Sequence, residues 1–99
     1  MGNISNLATT GGYTFEKGTL KVTFNFVINN ETKAITRIDG GIVKEEEKNL
    51  ATFNNQMYAP MSEGERISMA LTKGREVELA TAITEAIAQF EQKVALGAF

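Results

Sequence analysis

Two hydrophobic rhythms divide the chain. Over residues 75–96, Val77, Ala80, Ile83, Ile87, Phe90 and Val94 recur at intervals of three and four, which aligns them on one side of an α-helix. Glu76 and Glu78 fall in its first turn and Lys93 near its end, the signs that complement a helix dipole. Gly97 follows, a residue able to take the left-handed conformation that stops a helix. Over residues 20–28 the period is two instead. Leu20, Val22, Phe24, Phe26 and Ile28 share one face, and Lys21, Thr23 and Asn25 share the other. That is the pattern of an antiparallel strand covered on one side. The helical stripe needs an apolar cover, and the Phe24/Phe26 face supplies one.

The remaining elements are weaker. Residues 1–12 are mostly polar or glycine, with only Ile4 and Leu7 to bury, and predict a flexible N-terminal arm ahead of one domain over 13–99. Residues 13–16 alternate as a short strand that turns at Lys17-Gly18, and 34–38 return from a turn at 29–32 to pair with 20–28. An odd-membered loop of three or five residues would set Ile38, Thr36 and Ala34 among the phenylalanines and leave Lys33, Ile35 and Arg37 on the wet face. An even loop would drive Arg37 into the apolar face, where an unpaired charge is costly. Asp39-Gly40-Gly41 reads either as a tight turn or as a bulge within one long strand reaching Glu45. Residues 44–48 form a solvated charge run, and 50–53 and 56–59 are strand-like, although 43–60 is open to strand or helix. Ser62 and Glu65 have capping-box spacing. Ile67, Met69 and Leu71 nevertheless alternate with smaller or polar residues, so 66–72 reads as a strand. The fold class is α+β: a meander-like antiparallel sheet of about four to five strands packed by one long C-terminal helix.

Composition narrows the chemistry. The 99 residues include no Cys and no His, which removes thiolate nucleophiles, the usual zinc ligand sets and the commonest general base near neutral pH. Gly11-Gly12 and Gly40-Gly41 lack the Lys-Ser/Thr of a phosphate loop. Glu45, Glu46 and Glu47 are adjacent rather than set across a cleft, and Asp39, Glu45 and Glu47 lack calcium-loop spacing. The expectation is a chain with no catalytic residues, no metal and no cofactor. No run approaches the ~20 apolar residues of a membrane helix. The first ten residues lack the basic start and apolar block of a signal peptide, so a cytoplasmic or virion-associated location is expected.

Leu79, Ala82 and Ala86 widen the apolar arc of the helix beyond what one sheet contact requires and are read as an oligomer interface. The expected function is a non-catalytic interaction module acting as a homo-oligomer: a subunit, adaptor, inhibitor or structural protein. A second reading uses Lys21, Thr23, Asn25, Lys33 and Arg37, cations for phosphate beside amides and hydroxyls for bases, as a single-stranded nucleic-acid surface. Against it stands the formal net charge of −2. In element order alone, an antiparallel sheet running into a long C-terminal helix is similar to the Whirly and coactivator-type single-stranded-DNA-binding proteins, a resemblance that implies a dimer.

Overall fold

The computed structural model describes residues 8–55 and 67–97. Five strands, β1 (Ala8–Lys17), β2 (Leu20–Asn29), β3 (Ile35–Glu45), β4 (Lys48–Asn55) and β5 (Ile67–Leu71), form one antiparallel sheet in the order β1-β2-β3-β4-β5. A single helix, α1 (Glu76–Ala95), follows. The α+β meander expected from the sequence is the fold observed. Strand β1 begins at Ala8, so residues 8–12 belong to the sheet rather than to an arm. Residues 1–7 and the strand expected over 56–59 lie outside the described residues.

The core is the contact between the helix and the face carrying Leu20, Val22, Phe24, Phe26 and Ile28, all at most 4% exposed. Phe90 is its centre. Its ring lies 5.2 Å from that of Phe24 and 4.8 Å from that of Phe26, and Tyr13 closes the outer side at 5.3 Å. Phe53 meets Phe24 edge-on at 5.9 Å.

Two glycines make this density of rings possible. Gly11 pairs with Phe26 and Gly41 with Phe53 across neighbouring strands. A Cβ on Gly11 would stand 2.8 Å from the Phe26 ring, and one on Gly41 only 2.6 Å from that of Phe53. Each ring therefore lies flat over the glycine opposite, an aromatic filling the gap of a residue without a side chain.

The turn between β2 and β3 is even-membered rather than odd as expected: Asn29 donates to the Ala34 carbonyl at 2.8 Å and Ile28 pairs with Ile35. Asn29 organises it: its Oδ1 accepts the amides of Glu31 and Thr32 at 2.8 and 3.1 Å. Phe26 pairs with Ile38 and Val27 with Arg37, which keeps the guanidinium off the core. The register then slips by one residue at Thr36. Ile35 therefore packs against the core while Ala34 and Thr36 are exposed, the reverse of the alternation an odd loop would give. Asp39-Gly40-Gly41 is a bulge within one strand, with Gly40 in the left-handed region at φ 62°. A third slip, at Leu50 between β3 and β4, turns Leu50 as well as Ala51 toward the core.

The helix is rotated from the expected stripe. Its buried face is Leu79, Ala82, Ile83, Ala86, Ile87 and Phe90, whereas Val77 is 82% exposed. Leu79, Ala82 and Ala86, read from sequence as a flank for a second copy, are each 0% exposed within the single chain. This is a correction with a steric reason. Five aromatic rings of the sheet, Tyr13, Phe15, Phe24, Phe26 and Phe53, already stand on this side, and alanines let the helix backbone come down between them.

Candidate functional site

With one side of the sheet roofed, the other is the surface on which the candidate residues meet. The pairing register places Thr10, Thr14 and Glu16 of β1 beside Lys21, Thr23, Asn25 and Val27 of β2. Next come Arg37, Asp39, Ile42 and Lys44 of β3, then Thr52 of β4 and Ala70 of β5. Lys21, Thr23, Asn25 and Arg37 therefore do share a face, because β2 alternates without interruption and the bulge at Thr36 sets Arg37 opposite Val27.

Lys33 does not join them. It sits in the turn at φ 63°, its amide donating to the Asn29 carbonyl at 2.7 Å. There it lines a depression with Thr9, Ile28, Val94 and Gly97, at the C-terminal end of the helix. A cation in that place answers the negative end of the helix dipole.

The charges of the open face are largely compensated. Arg37 forms an ion pair with Asp39 at 2.7 Å. Lys21 faces Glu16 on one side and Lys44 on the other, so the two lysines make the one cationic spot of this arrangement. The same end carries Glu46 and Glu47, which line a shallow depression together with Glu16, Lys21 and Lys44. Phosphate binding would have to overcome three carboxylates near two ammonium groups. Lys44 escaped the sequence reading because its face depends on the Gly40-Gly41 bulge, which inverts the alternation of β3.

A neutral depression of about 370 Å³ occupies the far half of the face, over Gly40, Ile42, Thr52, Asn54, Ser68 and Ala70. Hydroxyls, amides and aliphatic groups line it together with Phe53 and Met69, a surface able to exchange hydrogen bonds with a neighbour and holding, among the described residues, no nucleophile paired with a base.

The best-connected polar cluster lies at the edge of the core. Arg75 precedes the helix without capping it by a side chain, and its guanidinium bridges Glu45 of β3 at 3.0 Å and Glu78 of the first turn at 2.9 Å. Thr19, in the β1–β2 turn, donates to Glu45 at 2.5 Å. The Gly74 amide donates to Glu76 at 3.0 Å. Hydrogen bonding to Arg75 holds the Glu45 and Glu78 carboxyls below the usual carboxylate range, and their pull raises Arg75 in turn. Every charged group in this cluster is spent on another member of it, which suits a clamp between helix and sheet. On the opposite flank, the Tyr13 hydroxyl donates to Gln89 and Lys17 pairs with Glu85 at 3.0 Å.

Among the described residues, no group of three or more acidic side chains could hold a metal ion, and no helix is long and apolar enough to cross a membrane. Compared with known proteins, the chain matches no family model, no curated protein and no solved structure.

Proposed function

We propose that the protein is a non-catalytic interaction module that works as a homo-oligomer, using the uncovered side and the edges of its sheet as contact surfaces. The observation that carries this reading is the asymmetry of the sheet. Among the described residues one face is covered by α1, while the other presents threonines, Asn25 and Ser68 around the half-buried Val27 and Ile42. Such a surface is weakly charged and only partly apolar, the composition of a non-obligate protein interface. Its ion pairs are already made internally, so a partner need not strip charges from water. A cytoplasmic or virion-associated location fits this role. The test is molar mass by light scattering across concentration. A species above monomer mass supports the reading, and a monomer persisting at ~100 μM ends it, since stable interfaces hold well below that concentration.

One observation favours a second reading. Lys21 and Lys44 stand directly opposite one another beside Thr23 and Asn25, a cation pair next to hydrogen-bonding side chains. Single-stranded nucleic acid would then bind with an affinity that falls steeply as salt rises. Fluorescence anisotropy with a labelled oligonucleotide at low and moderate salt decides it. Lys21→Glu with Arg37→Glu abolishes binding if this face is the interface, and no binding at low salt removes the reading.

A further inference from the structure

The outer edge of β1 is built differently from a protected sheet edge. It is ten residues long, and its pairing with β2 is continuous from Ala8 to Lys17 with no bulge. It has no proline, and its charges, Glu16 and Lys17, both sit at one end. Natural edges are usually blunted by shortness, bulges, prolines or charges within the strand. The opposite edge strand, β5, has five residues among the described residues.

The pairing also fixes which backbone groups face outward. Lys17 and Leu20 flank a two-residue loop and so exchange hydrogen bonds, and from there the bonded pairs alternate along the strand. Lys17, Phe15, Tyr13, Gly11 and Thr9 bond to β2. Glu16, Thr14, Gly12, Thr10 and Ala8 turn their N–H and C=O groups away from it.

We propose that β1 is a homodimerisation strand that pairs antiparallel with β1 of a second copy across a twofold axis at Gly12. The inference rests on the homo-oligomer reading above and names its surface. The outward-facing residues are symmetric about Gly12. Antiparallel pairing there sets Gly12 against its own copy, Thr10 against Thr14 and Ala8 against Glu16, for about ten intermolecular backbone hydrogen bonds. The charge distribution selects this occupant and this direction. Because Glu16 and Lys17 lie at the same end, an antiparallel copy never brings like charges together, whereas a parallel copy would stack Glu16 on Glu16. Thr10 and Thr14 are a favourable cross-strand pair, and glycine at the axis lets the backbones meet without obstruction. The axis stands perpendicular to the sheet, so the two five-stranded sheets join into one of ten with both helices on the same side. The half-buried rings of Tyr13 and Phe15 flank the seam on the helix side.

Two variants of the full chain test this by light scattering and sedimentation. A Cβ at Gly12 would find its nearest neighbours, Asn25 Oδ1 and the Phe24 carbonyl, at an ordinary 3.7 Å, so Gly12→Lys fits the monomer. In the dimer it forces two ammonium groups together at the axis. Thr14→Pro removes an outward N–H and leaves the bonds to β2 intact. Each variant is expected to halve the molar mass while the circular dichroism stays that of the parent. A dimer that survives both variants overturns the edge pairing but leaves the homo-oligomer reading standing. A parent chain that is monomeric overturns both. Hydrogen exchange on the parent chain gives a readout independent of any variant. The amides of Thr10, Gly12, Thr14 and Glu16 should exchange about tenfold more slowly at high than at low protein concentration, with the Tyr13 and Phe15 amides unchanged. Absence of that alternation overturns the proposal even if a variant fails to fold.

Discussion

Gly41→Ala is the sharpest test of how the core is packed. The new methyl would stand 2.6 Å from the Cε1, Cε2 and Cζ atoms of Phe53, where ordinary contact is 3.4–4 Å. The ring must retreat by about 1 Å. It has little room, being 3% exposed and held edge-on by Phe24, which itself abuts Phe90. Overpacking of this kind costs about 1–3 kcal/mol. Alanine also restricts the unfolded chain, which returns roughly 0.4–1 kcal/mol. The steric effect wins, with a net loss of about 1–2 kcal/mol. In a chain of this size that is a fall in Tm of about 4–16 °C. Urea unfolding followed by circular dichroism measures it, with two companions. Gly12→Ala, whose methyl meets nothing closer than 3.7 Å, should lie within about 0.5 kcal/mol of the parent. Phe53→Leu combined with Gly41→Ala should lose about 1 kcal/mol less than the sum of the two single changes, because a smaller, movable side chain vacates the space. A Gly41→Ala protein as stable as the parent, or strictly additive losses, would refute the stacked ring.

Two further predictions concern the loop end of the sheet. Glu46 and Glu47 join β3 to β4 in a two-residue turn with both φ values positive, 52° and 79°, a conformation that favours Asn-Gly. Glu46→Asn with Glu47→Gly should stabilise the protein by about 1 kcal/mol, the relief of left-handed strain less the flexibility added by glycine, and should raise the urea midpoint. An unchanged midpoint would show that the turn carries no strain. The Arg75 clamp should make stability depend on acid. Glu45 and Glu78 have folded pKa values depressed below their ordinary 4.5, so their contribution is fully present above that pH and is lost as pH falls through the lower folded values. Arg75→Gln should be less stable than the parent at neutral pH, with the difference closing below pH 4.5. A gap that is constant with pH would mean the clamp contributes by packing rather than charge.

The elements with a strong rhythm were legible. The alternation of Leu20, Val22, Phe24, Phe26 and Ile28 gave β2 its face, and the burial cost of Arg37 kept it off the core, although a bulge at Thr36 rather than an odd loop achieves this. The period of two in Ile67, Met69 and Leu71 outweighed the capping box before them. Residues 8–12 were not legible as strand, because Ala-Thr-Thr-Gly-Gly carries no alternation of its own. What holds it in the sheet comes from the neighbouring strand: backbone pairing with residues 25–29 and the Phe26 ring on Gly11. The helix boundaries could be read but its rotation could not, since Val77 and Leu79 compete for the same stripe until the volume of the rings beneath is known. For the site, alternation brought Lys21, Thr23, Asn25 and Arg37 together. Lys33 and Lys44 were misplaced or missed because their directions depend on a turn and on a bulge, features one residue long.

The meander order has a consequence for how the chain is made. Each strand pairs with the one before it, so the sheet can zip up in sequence as it leaves the ribosome. Its cover comes afterwards: the 20 residues of α1 take about 1–4 s more at 5–20 residues per second. For that interval the phenylalanine side is bare, and premature termination just upstream of Glu76 would release a sticky half-product. The newborn chain is therefore most exposed to aggregation immediately before it is safest.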